Sequence, residues 1–167
     1  GCVVQEGVRE HIAGALMDYD LFWVNSLIVA QFAQALAENE DVDRDEAFTG
    51  GVVHNIGRLA MAQQRPDWIR IVTLASRETG LPVHDLQRQK LGFTDADLGA
   101  AIARQLSFPS RLVDAVEHHT WELSDLGASA DLDVIVAKAR RLARANALSD
   151  SIDNVGRRQP LDRDWYL

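Results

Sequence analysis

The residues of this chain that could do chemistry include two separated groups of histidines. His54 is followed by Asn55, and His118 stands next to His119. Imidazole is a common ligand of transition metals, and a metal centre would combine it with carboxylates, such as that of an adjacent aspartate. Here the neighbour of His54 is an amide. The sequence alone does not distinguish a satisfied core histidine from a ligand-binding one.

Asn25 is a further polar residue that the helical pattern turns inward. In the helix predicted over residues 21–38, successive side chains point about 100° apart. This spacing places Asn25 on the apolar face with Leu21 and Ile28. A buried amide without partners costs about 1 to 3 kcal/mol, so Asn25 should bind a specific group. That group is either a neighbouring helix or a ligand.

The next predicted helix, from its cap Asp43 through His54, contains two adjacent glycines. Glycine weakens a helix interior by about 1 kcal/mol relative to alanine, so Gly50 and Gly51 need a structural reason. We expect another helix to approach closely at this point. His54 shares the face of the glycines and lies opposite an apolar stripe of Phe48, Val52, Ile56 and Leu59.

The third inward position lies in the helix predicted over residues 110–119. His119 is on the apolar face of this helix and His118 is at its edge. Adjacent residues diverge by about 100°, so at most one of the two serves any single site, and either remains a candidate. Two inward histidines far apart in the chain, with an inward asparagine, favour one shared polar pocket.

Helical periodicity continues through almost the entire chain, and no convincing strand pattern occurs. We therefore predict an all-α fold, a compact bundle of about six to seven helices. Further helices are predicted over residues 66–80, 82–91, 95–106 and 131–147. Local signals mark the ends of the helices: Asp20, Asp43 with Glu46, Thr94 with Asp97, Pro66, Gly80, Pro82 and Gly92.

The last predicted helix has a basic strip opposite its apolar face. Lys138, Arg141 and Arg144 form the strip, which is either a solvated face paired with acidic residues or a contact surface. Arg140 lies at the edge of the apolar stripe and could reach inward.

Composition limits the class of protein. The 167 residues fit one domain, predicted over residues 1–148, with a polar extension over 149–167 that could dock through Trp165. The net charge is −8 and no basic tract occurs, which argues against nucleic-acid binding. No apolar run is long enough for a membrane span. The single cysteine, Cys2, precludes an intrachain disulfide and fits a reducing cytoplasm.

Five segments, in this order, resemble the HD superfamily of metal-dependent phosphohydrolases, and more closely its HDOD branch, a domain of bacterial signalling proteins. They are "FWVNSLIVAQFAQALA", "EAFTGGVVHNIGRLAM", "LGFTDADLGAAIARQLSFP", "LVDAVEHHT" and "AKARRLARA". The resemblance covers only the C-terminal, HD-like half of that domain. It implies a helical fold and, in active members, a divalent metal such as Mn, Fe or Zn that activates a water molecule.

The resemblance also implies a set of metal ligands, from which this chain departs. An active member has histidine at Asn25 and aspartate at both Asn55 and Arg140, and Asp95 stands where a histidine is often found. Asn55 removes a formal charge, and a guanidinium at position 140 repels a divalent ion. No cofactor is therefore expected. If a metal does bind, the remaining ligands are His54, Asp95, His118 and His119.

A sharper hypothesis follows for Arg140. Its guanidinium could fill the position of the metal, held by Asp95 or hydrogen-bonded to Asn25 and Asn55, because a buried guanidinium needs acceptors.

The resemblance implies a non-catalytic signalling, output or interaction domain. Its expected partner is another protein or another domain of a larger signalling protein, and self-association is a further option. Two alternatives remain. One is a metal-dependent phosphohydrolase that acts on a nucleotide or another phosphate ester. The other is a pocket that binds a small anionic ligand without chemistry, with Arg140 as its anchor.

Overall fold

The computed structural model describes residues 17–122, 124–126 and 131–146. Within these ranges the chain forms eight α-helices and no strand, which confirms the predicted all-α class. The helices are α1 Tyr19–Ala37, α2 Arg44–Val53, α3 Ile56–Gln64, α4 Pro66–Thr79, α5 Val83–Leu91, α6 Asp95–Gln105, α7 Ser110–His118 and α8 Leu132–Ala145. Cys2 and the predicted extension with Trp165 lie outside the described residues. None of the described helices is both long and apolar enough to cross a membrane.

The start of α1 differs from the prediction. Asp18, rather than Asp20, caps the helix, and its side chain accepts a hydrogen bond from the backbone N–H of Leu21 at 3.0 Å. The predicted cap was wrong because two aspartates stand two residues apart and either could serve. Asp20 instead lies in the first turn, where a negative charge is favourable beside the helix N-terminus.

The other end signals are confirmed. Thr94 and Asp97 form a complete capping box: Thr94 Oγ1 accepts from Asp97 N at 3.1 Å, and Asp97 Oδ2 accepts from Thr94 N at 2.7 Å. Gly80 ends α4 with φ +73°, and Gly92 ends α5 with φ +82°. Both glycines adopt the left-handed conformation that other residues rarely take.

The helix predicted to run through His54 is divided into two. α2 ends at Val53 and α3 begins at Ile56, with Asn55 outside the helical region at φ −107° and ψ 17°. In a continuous helix the side chains of His54 and Asn55 would diverge by about 100°. The break allows both to be buried, at 1% and 3% exposure. It also explains why eight helices replace the six to seven predicted.

Two of the hydrophobic clusters join most of the helices. The larger one joins α1, α2, α7 and α8 through residues such as Val29, Leu112 and Ile135. The second joins the start of α1 to α3, α4 and α5 through residues such as Phe22, Met61 and Leu86. α2 belongs to the first cluster and α3 to the second, so the break at His54 and Asn55 connects the two.

Close helix contacts occur at glycines, as the pair at 50 and 51 predicts. A Cβ atom on Gly51 would lie 2.3 Å from the Cα of Ala30, so α1 and α2 meet backbone to backbone. The buried face of α2 is therefore the one with small residues, Ala47, Gly50 and Gly51. The apolar stripe on the opposite side, Phe48, Val52, Ile56 and Leu59, is only half-buried.

Candidate functional site

Most of the polar residues singled out from the sequence are buried. They come from α1, the break between α2 and α3, the start of α6, the end of α7, and α8. The exposed fraction is 6% or less for each of Asn25, His54, Asn55, Asp95, His119 and Arg140. His118 is the exception, because its side chain is 23% exposed.

The two inward histidines lie against each other. The rings of His54 and His119 meet edge to face, with their centroids 5.1 Å apart and their planes at 79°. Of the two adjacent histidines at the end of α7, His119 is therefore the one inside. Residues far apart in the chain meet because α7 packs against the α2 segment that ends at His54.

The hydrogen bonds of the two rings define their tautomers. Nδ1 of His54 lies 2.7 Å from the carbonyl oxygen of Gly51, and Nδ1 of His119 lies 2.7 Å from that of Val116. A carbonyl oxygen can only accept, so each Nδ1 carries the proton and donates it. When the ring is neutral, Nε2 then presents a lone pair.

The environment of His119 keeps its ring neutral. Burial lowers the pKa of His119 well below the usual value, and the charges of His54 and Arg140 lower it further. Asp95 and the carbonyl of Val116 oppose this shift but do not overcome it. His119 is therefore an uncharged hydrogen-bond acceptor at neutral pH.

A buried ion pair adds a residue that the sequence analysis missed. Nε of Arg58 donates to Oδ2 of Asp95 at 2.8 Å, and the two side chains are 3% and 1% exposed. Burial by itself raises the pKa of Asp95, but the charge of Arg58 and its hydrogen bond to the carboxylate hold the pKa below the usual value. Asp95 is therefore ionised.

The packing of α3 on α6 positions this pair. A Cβ atom on Gly57 would lie 1.9 Å from the carbonyl oxygen of Asp95 and 2.5 Å from the nitrogen of Gly99. The buried Gln87 of α5 accepts a hydrogen bond from the backbone N–H of Asp95 at 3.1 Å. Arg58 could have been suspected from the sequence, since it stands four residues after His54 and would share a face with it in a continuous helix.

Arg140 reaches the interior from α8. It is 6% exposed, and its charge is close enough to His119 to lower the pKa of that ring. Its hypothesised acceptor Asp95 is bound by Arg58. Hydrogen bonding of Arg140 to Asn25 and Asn55 stays a prediction.

The donor set can be compared with that of a divalent metal centre. Nε2 of His119 and Oδ1 of Asp95 are buried acceptors without a hydrogen-bond partner among the described residues. Two features argue against a metal. The negative charge of Asp95 is neutralised by Arg58, and Arg140 adds a second positive charge. Within the described ranges, no group of three or more His, Cys, Asp or Glu side chains is arranged to hold a metal. The residues present therefore do not fit a divalent metal.

His118 belongs to a separate surface cluster. Its Nδ1 lies 2.9 Å from Oδ2 of Asp133, and its ring lies over Trp121 with centroids 4.1 Å apart. Nearby, Arg141 of the basic strip donates to Glu122 at 2.9 Å and to the carbonyl of Trp121 at 2.8 Å. For Arg141, the interpretation of the strip as a solvated face paired with acidic residues is confirmed.

The family profile of the HDOD domain matches residues 1–121. This chain belongs to the HDOD family. The match includes the buried residues from Asn25 to His119, whereas Arg140 on α8 lies beyond it. No curated protein matches the chain.

Solved structures support the same fold. A candidate phosphohydrolase from Shewanella amazonensis SB2B has 26% identity and a TM-score of 0.69, over 75% of this chain and 46% of that one. An HDOD domain protein of unknown function from Geobacter sulfurreducens has 20% identity and a TM-score of 0.68, over 81% and 44%. The response regulator MmoQ from Methylococcus capsulatus Bath has 25% identity and a TM-score of 0.59, over 79% and 53%. The HDOD chain described here thus spans about half the length of these proteins.

Proposed function

We propose that this HDOD domain is a non-catalytic signalling or interaction module. Membership of the HDOD family supports this function, as does the similarity to a response regulator. The observation that carries the proposal is the buried pairing of Asp95 with Arg58. The carboxylate that a metal would need already has a counter-ion.

The physical argument concerns charge. A catalytic divalent metal is held by anionic and imidazole ligands, and its charge lowers the pKa of a bound water molecule. In this domain Asn55 contributes a neutral amide, and two guanidiniums accompany the single carboxylate of Asp95. A divalent cation would therefore face an unfavourable potential, since a guanidinium stays charged at any accessible pH.

Elemental analysis combined with hydrolysis assays tests this proposal. We expect substoichiometric metal in protein purified without chelator, and again after incubation with Mn²⁺, Fe²⁺ or Zn²⁺. We also expect no turnover of nucleotides or of p-nitrophenyl phosphate. Stoichiometric metal together with turnover that His54→Ala abolishes would instead establish a phosphohydrolase.

A second candidate function is a pocket that binds a small anion without chemistry. Burial of Arg140 beside the neutral ring of His119 favours it, because a guanidinium in a low-dielectric interior attracts phosphate or carboxylate. We expect pyrophosphate to raise the Tm of the wild type and of Arg144→Ala, an exposed position on the same helix, but not that of Arg140→Ala. Equal shifts in both variants would refute the role of Arg140.

A further inference from the structure

Exposed apolar side chains gather on the first half of α1 and on α4. Ten large hydrophobic residues are exposed in the part of the chain that the structure describes, and six of them belong to these two helices. The six are Tyr19, Trp23, Val24, Leu27, Ile71 and Leu74. Single exposed apolar residues are common on any protein surface, whereas a group of them indicates an interaction surface.

The α1 face consists of Asp20, Trp23, Val24 and Leu27. Residues spaced by three, four and seven positions lie on one side of a helix, so these four side chains form one strip. The ring of Trp23 is 47% exposed and packs edge to face on the buried ring of Phe22, with the centroids 5.2 Å apart. An exposed tryptophan offers a large contact area, and tryptophan often dominates the binding energy of protein interfaces.

The α4 face consists of Arg70, Ile71, Leu74 and Arg77. Helical spacing again places the four residues on one side, with the two apolar side chains between the two arginines along the chain. Glu78 borders this face at its C-terminal end. Two arginines and one glutamate give the α4 face and its border a net charge of +1, whereas the α1 face has the single negative charge of Asp20.

The charges that could attract one face to the other are not used inside the domain. Within the described ranges, Asp20, Arg70 and Arg77 form no ion pair. By contrast Arg65 and Asp67, near the start of α4, pair with each other at 2.8 Å. The two faces therefore combine matching apolar surface with unpaired charges of opposite sign.

Both faces border the same hydrophobic cluster. Phe22, the neighbour of Trp23, and Val72, the neighbour of Ile71, both belong to the second cluster described above. The two faces thus lie around one part of the molecule. In a two-fold dimer each face of one copy can then meet the other face of the second copy, so that the same contact occurs twice.

We infer that this domain self-associates, with the α1 face of one copy packed against the α4 face of a second copy. Trp23 and Leu27 would cover Ile71 and Leu74, and Asp20 would lie opposite an arginine. A second copy fits better than a different protein because both complementary surfaces are present on this chain. The inference goes beyond the proposed function, since association does not depend on whether the domain binds a metal.

Sedimentation velocity tests the apolar part of this contact. Between about 1 µM and about 1 mM protein, the wild type should change from monomer to dimer, as expected for an interface of modest size. Trp23→Ala and Leu27→Ala should each weaken dimerisation, the tryptophan variant by about tenfold or more. Leu106→Ala is the matched control, because Leu106 is 58% exposed and lies outside both faces. This variant should dimerise like the wild type.

A charge exchange tests the polar part. Asp20→Arg should weaken dimerisation several-fold, because like charges then oppose each other across the interface. Adding Arg70→Asp or Arg77→Asp to Asp20→Arg should restore it. Restoration by Arg70→Asp indicates that α1 and the α4 of the second copy run parallel, and restoration by Arg77→Asp indicates that they run antiparallel. Restoration by neither overturns the inference.

The remaining outcomes also decide the question. A wild type that stays monomeric throughout overturns the inference, whether another protein or another part of this chain then covers the α1 face. Dimerisation that Trp23→Ala and Leu27→Ala leave unchanged, or that Leu106→Ala also abolishes, overturns it as well. If circular dichroism shows that Trp23→Ala loses helical structure, Leu27→Ala alone decides. Metal content is measured separately, so a monomeric, metal-free wild type still retains the proposed function.

Discussion

The buried imidazole of His119 couples folding to pH. Burial first, and then the charges of His54 and Arg140, lower its pKa well below the usual value. In the unfolded chain a histidine titrates near about 6.5, so between that pH and the lowered native pKa the unfolded state binds more protons. Stability therefore rises with pH through this window and falls on acidification below about pH 6.5.

Replacing His119 should weaken this dependence. The free energy of unfolding, measured with urea at pH 7.5 and pH 5.5, should fall in the wild type by about 1.4 kcal/mol in total between these two pH values for this one proton. His119→Gln should show a fall smaller by about that amount. His84→Gln, at a half-exposed position, is the control for the loss of one histidine. Equal slopes in the wild type and His119→Gln would contradict this prediction.

Among the helices, α1 and α2 depend on one of two adjacent glycines. A Cβ atom on Gly51 would meet the backbone of Ala30, at 2.3 Å from Cα and 2.6 Å from N. A Cβ atom on Gly50 would meet only side chains, with Cγ2 of Val136 at 3.1 Å. Side chains can move by a few tenths of an ångström, whereas a backbone contact can be relieved only by separating the helices.

Alanine substitutions should therefore separate the two positions. We expect Gly51→Ala to lose about 3 kcal/mol or more of unfolding free energy, because overpacking here involves two backbones. Gly50→Ala should lie within about 1 kcal/mol of the wild type, since the higher helix propensity of alanine offsets the tighter packing. Urea unfolding measures both, and similar losses would show that the contact with Ala30 does not distinguish the two glycines.

In the whole molecule, hydrophobic clusters and buried polar side chains together join the helices. The larger one joins α1, α2, α7 and α8, and the second joins the start of α1 to α3, α4 and α5. The ion pair of Arg58 and Asp95 adds a tie between α3 and α6. We therefore expect the circular-dichroism spectrum and the Tm of the wild type to be unchanged by a chelator such as EDTA, and a lowered Tm would contradict this prediction.

The features that the sequence alone predicted are those formed by residues close together in the chain. Helix periodicity, the capping box at Thr94 and the left-handed glycines Gly80 and Gly92 involve residues within a few positions of each other, so they are visible without tertiary structure. The close approach at the glycine pair was predicted in the same way, whereas only the structure decided that His119 rather than His118 faces inward. The five motifs pointed to the HDOD family.

Only the tertiary structure determined which side chains far apart in the chain contact each other. Arg58 and Asp95 are 37 residues apart, and only the packing of α3 on α6 brings their side chains to 2.8 Å. The break at Asn55 could not be seen in the periodicity, because the helical pattern continues across it and burial of two adjacent polar side chains is what requires the break. Long-range contacts depend on how helices cross, which no local pattern of residues specifies.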